Sequence, residues 1–157
     1  MNDPRTQLKD LIHVEKGIIP ANLCDYIIQD TEKREWKPHT WYNNVNNSFN
    51  SEQTMELDVQ GITPELQQLL NPIMIQAGSA YNQKYAYMKC DRTRQIMNRF
   101  STIRFNRYKS GQIMRQHHDH IHSLFDGNEK GIPVLSFVLN LNDNYRGADL
   151  YLSLIHI

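Results

Sequence analysis

The sequence predicts an α+β fold in which the helices precede the strands. Apolar residues at helical spacing occur before residue 81, and β-prone segments dominate from Phe100 onward. This order along the chain is typical of the α+β class. A length of 157 residues predicts one domain, and an aromatic share of 10% favours a packed core over disorder.

The first predicted helix begins near Pro20 and extends to about residue 28. Proline suits the first helical turn because the N–H that it lacks would have no partner there. We expect one face of this helix to be buried, since its residues follow i, i+3, i+4 spacing. The residues of that face are Leu23, Tyr26, Ile27 and Asp30. Residues 36–53, rich in Asn and Ser, predict a loop or short strands, and the alternation over Thr54–Val59 predicts a strand.

The second predicted helix has a sharply marked beginning. Thr63 is placed to cap it, Pro64 to occupy its first position, and Glu65 to put an acid in its first turn. The apolar spacing continues to Ala80 or beyond. Pro72 predicts a kink or a break within the helix, because proline removes a backbone donor.

The strands are predicted in the last third of the chain. Their segments are 101–108, 112–118, 134–141 and 148–151, with turns at 109–111 and 143–147. Residues 134–141 form the most hydrophobic stretch and predict a buried central strand.

Charge and composition argue against several partners. The 17 basic and 17 acidic residues balance, so we expect no nucleic-acid partner. No apolar run approaches the roughly 20 residues that span a bilayer, and the polar start is no signal peptide, so we expect no membrane partner. Cys24 and Cys90 allow one disulfide, but without a CxxC pattern they favour reduced thiols and a cytoplasmic location.

Four of the seven histidines fall within six residues, at His117, His118, His120 and His122. On a strand, His117 and Asp119 would face the same side. They would then supply two ligands of a 2-His-1-carboxylate triad, which suits non-haem Fe(II). The alternative for so short a motif is a solvated loop.

The surroundings of this pair resemble a known family. Residues 108–119 have the form Tyr-x2-Gly-x5-His-x-Asp, which resembles the prolyl 4-hydroxylase-like branch of the 2-oxoglutarate- and Fe(II)-dependent oxygenases. The segments Leu139–Asp143 and Gly147–Leu150 resemble that branch's Tyr-Leu-Asn-Asp and Gly-Gly-Glu-x-x-Phe. Residues 114–147 look most like a phage and marine-microbe subgroup. The resemblance covers residues 100–151 and is only architectural upstream.

The resemblance implies a fold, a reaction and a set of site residues. The fold would be N-terminal helices packed on an incomplete double-stranded β-helix, a cupin-like jelly-roll barrel. The activity would be a dioxygenase that hydroxylates a protein or peptide side chain such as prolyl, with Fe(II), 2-oxoglutarate and optionally ascorbate as cofactors. His117 and Asp119 would be the catalytic metal ligands. Tyr108 would bind the distal carboxylate of 2-oxoglutarate, or else only fill the barrel, and Asn140 would line the co-substrate pocket.

The chain also departs from the family pattern. Met114 replaces a frequent tyrosine, Asn140 stands where an aromatic is common, and Ala148-Asp149 replaces Gly-Glu. These departures concern the contacts to the co-substrate rather than the metal pair.

The family's distal histidine, and the Lys or Arg beyond it, have no counterpart in this sequence. His156 follows Gly147 too closely for a strand, a turn and a return strand. We therefore expect residues 1–151 to be the N-terminal portion of one oxygenase domain, inactive by itself. Residues 152–157 match the translation of a common sequencing adapter, although their alternating apolar residues also allow a strand end.

Two other functions stay open. A nucleobase-oxidising oxygenase would share the iron pair but should add a basic groove with stacking aromatics such as Trp36, Trp41 and Tyr42. A non-catalytic jelly-roll binding module would keep the scaffold without the distal ligand.

Overall fold

A computed structural model describes residues 8–43, 48–50, 56–85, 100–117 and 135–152. Its architecture is α+β, as predicted, with two helices and a small three-stranded antiparallel sheet. In chain order, the elements are a 3-10 turn (Leu8–Leu11), α1 (Ala21–Glu32), β1 (Lys37–Pro38), β2 (Trp41–Asn43), β3 (Ser48–Asn50), β4 (Asp58–Gly61), α2 (Pro64–Tyr85) and β5 (Arg104–Arg107).

The main sheet has the order β1-β4-β5, and β2 and β3 form a separate antiparallel ladder. Gln60 pairs with Phe105, and Val59 pairs with both Lys37 and Asn106. Paired residues face the same side of a sheet, and neighbours along a strand face opposite sides. Gln60 and Phe105 therefore share one side, and Lys37, Val59 and Asn106 share the other.

Within the described ranges, the core packing of both helices is with the side of Gln60 and Phe105. Gln60 is buried and donates to the carbonyl of Thr31 in α1 at 3.1 Å. The core cluster on this side consists of Ile19, Ile27, Leu66, Leu70 and Phe105. Burying each such side chain contributes roughly 1.5–3 kcal/mol. The opposite side, which carries Lys37, Val59 and Asn106, is named the distal face.

Helix α1 begins immediately after Pro20, whose carbonyl accepts from the N–H groups of Leu23 and Cys24 at 2.9 and 3.0 Å. Ile27 is fully buried, as predicted, but Tyr26 is 50% exposed, so its assignment to the buried face was wrong. The buried face instead extends one turn onward from Ile27 to Thr31. Cys24 is a free thiol, and Cys90 lies outside the described residues.

Helix α2 begins as predicted. The hydroxyl of Thr63 accepts from the N–H of Leu66 at 3.3 Å, and Pro64 is the first helical residue. Of the kink or break predicted at Pro72, the break is not found, because the helix continues through Pro72 to Tyr85. Pro72 is exposed, whereas Leu70 and Met74 on either side of it are buried, so packing against the core holds the helix together.

Two aromatic side chains pack over the later part of α2. Phe100 and Phe137 meet edge to face, with ring centroids 5.9 Å apart. A Cβ atom built on Gly78 would lie 3.5 Å from the Cζ atom of each ring. The described segment that begins at Phe100 and the one that begins at residue 135 therefore meet at Gly78.

The strand predicted over 101–108 is found over its central part, Arg104–Arg107, and the turn that follows it is confirmed. β5 ends at Arg107, and the N–H of Gln112 donates to the carbonyl of Lys109 at 3.0 Å. Gly111 has a φ of +81°, a left-handed conformation that favours glycine. Of the strand predicted over Thr54–Val59, residues 54–55 lie outside the described residues, residues 56–57 are not in a strand, and Asp58 and Val59 begin β4.

Three other predicted strands are not found where the structure describes them. No strand is assigned within 112–117, 135–141 or 148–151. Along 135–141, half-buried and exposed side chains alternate: Leu139 and Leu141 pack against the core, and Val138 is 70% exposed. An alternating pattern alone forms no strand, because a strand also needs a hydrogen-bonded neighbour.

No helix within the described ranges is both long enough and apolar enough to cross a bilayer.

Candidate functional site

The structure describes three of the four predicted site residues. Tyr108 and His117 lie near one polar cluster, whereas Asn140 is exposed on segment 135–141 and makes no hydrogen bond or ion pair within the described ranges. Asp119 lies outside the described residues, as do His118, His120 and His122. The alignment of His117 with Asp119 on a strand stays a prediction, although no strand reaches residue 117 itself.

The polar cluster includes His39, Arg104, Asn106 and Tyr108, and these residues lie on the distal face. Alternation along β5 places Arg104 and Asn106 there and directs Tyr108, just beyond the strand, to the same side. His39 continues β1 in the same way, since its N–H donates to the carbonyl of Leu57 at 2.9 Å. The sheet therefore turns these polar side chains away from both helices.

A buried histidine–carboxylate pair forms the centre of the cluster. His39 is 6% exposed, Glu56 is 2% exposed, and His39 Nδ1 lies 3.2 Å from Glu56 Oε2. Burial lowers the pKa of His39, the hydrogen bond to Glu56 opposes this, and the neighbouring Arg104 acts in the same direction as burial. His39 is therefore neutral near pH 7 and donates from Nδ1 to the carboxylate.

Arg115 links this buried pair to His117. Its Nε lies 3.3 Å from Glu56 Oε1, and its main-chain carbonyl lies 2.9 Å from His117 Nδ1. A carbonyl oxygen only accepts, so His117 Nδ1 carries the proton and donates. In the neutral ring, the lone pair then belongs to Nε2, and this is the tautomer in which a histidine coordinates a metal through Nε2.

Tyr108 presents a protonated hydroxyl. Its OH donates to the sulfur of Met114 at 3.6 Å. Burial is the main cause that raises the pKa of Tyr108, with Glu56 adding to it and Arg104 opposing it. The hydroxyl thus stays a donor at neutral pH, the form that can bind an anionic oxygen.

A shallow depression of about 360 Å³ lies beside the cluster. Its lining includes Lys37, Val59, Gly61 and Arg104. Two cationic residues, Lys37 and Arg104, and one acidic residue, Glu35, line it, so basic residues outnumber acidic ones there.

Among the described residues, no three His, Cys, Asp or Glu side chains come close enough to hold a metal ion.

Comparisons of the chain with protein-family models, with curated proteins and with solved structures found no match.

Sequence reasoning missed the buried pair and its link to His117. His39 and Glu56 are 17 residues apart and belong to no local motif, so only the pairing of β1 with β4 brings them together. Arg115 lies inside the Tyr-x2-Gly-x5-His-x-Asp run, but at one of its variable positions.

Proposed function

We propose that the chain is the N-terminal part of an Fe(II)- and 2-oxoglutarate-dependent dioxygenase that hydroxylates a protein or peptide side chain, as prolyl 4-hydroxylases do. The observation that carries the proposal is the run from Tyr108 to Asp119, in which His117 is held with its lone pair on Nε2. No membrane or nucleic-acid partner is needed for this function, and a cytoplasmic location would suit it.

The arrangement of the sheet supports the proposed jelly-roll scaffold. In such a barrel, helices pack on the outside and the site lies on the inner side of the strands. Here the helices cover one side of β1, β4 and β5, and the polar cluster lies on the distal face. Residues 1–151 would form this portion of a single domain.

His117 Nε2 and the carboxylate of Asp119 would hold the iron, since imidazole and carboxylate are two of the three ligands in a facial triad. When bound, the iron would supply oxidative chemistry with dioxygen and 2-oxoglutarate, and ascorbate would serve as an optional reductant. The resemblance places a distal histidine and a basic residue downstream of residue 151, where they would complete the ligand set.

The chain's own residues would bind and orient the co-substrate. The Tyr108 hydroxyl, which stays protonated, would donate to a carboxylate oxygen of 2-oxoglutarate. Arg104 and Lys37 would attract the dianion to the depression beside the cluster. Asn140 would line the co-substrate pocket, as the resemblance implies.

The activity is tested on the protein encoded by the longer reading frame, which continues past residue 151 with the family's own sequence. That protein should release succinate only with both Fe(II) and 2-oxoglutarate, and a His117→Ala variant should lose the release. His13→Ala is the matched control, because His13 lies beside Tyr81 of α2 and not in the polar cluster. Succinate release that needs neither Fe(II) nor 2-oxoglutarate, or that survives His117→Ala, would overturn the proposal.

The nucleobase-oxidising alternative gains less support. Of its three stacking candidates, Trp36 is covered by Arg107, which lies 4.4 Å from the ring centroid. The side chains of Trp41 and Tyr42 lie outside the described residues. A base could stack on Trp36 only after displacing that guanidinium.

A further inference from the structure

Glu56 is a carboxylate in an unusually buried position. Its side chain is 3% exposed, and the burial of a carboxylate costs several kcal/mol unless it is paired and hydrogen-bonded. His39 Nδ1 hydrogen-bonds to Oε2, and Arg115 Nε lies 3.3 Å from Oε1 as an ion-pair partner rather than a hydrogen-bond donor. His39 precedes Glu56 in the chain, and Arg115 follows it much later. The Glu56 carboxylate therefore links two segments that are far apart in the sequence.

The ion pair with Glu56 restrains the main chain of Arg115 as well as its side chain. The Arg115 side chain is 50% exposed, yet its Nε is held against the buried carboxylate. Residues 112–117 belong to no strand, so no sheet ladder orients the Arg115 carbonyl. The ion pair with Glu56 restrains Arg115, and the carbonyl of Arg115 is the group to which His117 Nδ1 donates.

We propose that Glu56 and Arg115 are positioning residues for His117: the buried carboxylate anchors Arg115, and the anchored Arg115 carbonyl sets the His117 tautomer and ring orientation. His39 in turn orients Glu56 through its hydrogen bond. The inference rests on the proposed function for its purpose, which is to present Nε2 to a metal. Partners of this kind typically change metal affinity by about 10–100-fold.

The test uses the metal-free 157-residue chain and long-range ¹H–¹⁵N correlation spectra of its histidine rings. His117 is assigned by the signals that a His117→Gln variant loses. In the wild-type protein, His117 should be the Nδ1–H tautomer. In Arg115→Met and Glu56→Gln, it should shift toward the Nε2–H tautomer that imidazole favours in water. Arg115→Lys, which keeps a cation beside Glu56, should retain the wild-type tautomer.

Asp58→Asn is the matched control. Asp58 also pairs with two cations, Arg107 at 2.9 Å and Lys109 at 2.8 Å, but it does not contact Arg115. The Asp58→Asn variant should lose ion pairing comparable to that lost in Glu56→Gln and should leave the His117 tautomer unchanged. Arg115→Met alters a half-exposed side chain, so a failure of Glu56→Gln to fold would not prevent the test.

The inference is overturned if Arg115→Met keeps the wild-type tautomer, or if Asp58→Asn shifts it as strongly. Cobalt(II) titrations of the protein from the longer reading frame, which would supply the distal histidine, then give a second readout, with an expected loss of affinity of about 10–100-fold in Arg115→Met. Because the tautomer is measured in the metal-free 157-residue chain, a tautomer change in Arg115→Met with no cobalt binding by the longer protein would reject the proposed function alone. Cobalt binding by the longer protein without a tautomer change in Arg115→Met would reject the positioning role alone.

Discussion

The guanidinium of Arg107 lies 4.4 Å from the centroid of the Trp36 indole ring. From this position, its two terminal nitrogens reach Glu32 and Asp58, each at 2.9 Å. Lys109 and Arg107 together hold the pKa of Asp58 below its ordinary value. One arginine of β5 thereby connects the end of α1, the segment before β1 and strand β4.

Replacing Arg107 with Met should destabilise the fold by about 1–2 kcal/mol, because it removes a cation–π contact and two partly exposed ion pairs. The measurement is the free energy of unfolding in urea. Arg146→Met, at an exposed arginine, should cost less than about 0.5 kcal/mol. Equal losses for the two variants would contradict a bridging role for Arg107.

Two adjacent leucines of α2 provide a test of the core. Leu70 is 1% exposed and Leu69 is 47% exposed. Leu70→Ala should cost about 2–5 kcal/mol through lost burial and a cavity, and Leu69→Ala less than about 1 kcal/mol. Thermal and urea unfolding of both variants would measure the difference, and the reverse order would show that α2 packs through another face.

The cap of α2 gives a further prediction. Thr63→Ala removes the acceptor of the Leu66 N–H and should cost about 1 kcal/mol. Thr63→Ser keeps the hydroxyl and should remain within a few tenths of a kcal/mol of the wild-type protein. A serine variant as unstable as the alanine variant would assign the loss to the methyl group instead of the hydrogen bond.

The buried His39 should make stability depend on pH. Its pKa is lowered from an ordinary value of 6.5, mainly by burial, so the unfolded chain binds this proton more readily than the folded one. Stability should be full above pH 6.5 and decline as the pH falls below it toward the folded pKa. Urea unfolding of the wild-type protein at about pH 7.5 and about pH 5.5 should show this decline, and His39→Asn should reduce it. An unchanged decline in His39→Asn would assign it to other groups.

Local patterns predicted the parts of the fold that local physics determines. Thr63 and Pro64 begin α2 because capping and a preset φ act within one turn. The Lys109–Gly111 turn was predictable because a left-handed residue there requires glycine. The misplaced Tyr26 shows the limit of this reasoning, since spacing narrows the buried face of a helix to a stripe but the neighbours decide which edge is covered.

Long-range relationships were beyond local reasoning. Pro72 predicted a kink or a break, but the helix does not break there, because the burial of the neighbouring Leu70 and Met74 outweighs one lost hydrogen bond. The strand over 134–141 was predicted from its apolar content, which gives no information about a pairing partner. The link from His39 through Glu56 to Arg115 depends on sheet register, which no motif in the sequence specifies.

The two phenylalanine rings over Gly78 leave space for one methyl group. At 3.5 Å, an added Cβ would make ordinary van der Waals contact with both rings, and the backbone of Gly78 is helical rather than left-handed. Glycine inside a helix costs roughly 0.5–1 kcal/mol relative to alanine. Gly78→Ala should therefore raise the melting temperature and give a more thermally stable variant for crystallisation and spectroscopy.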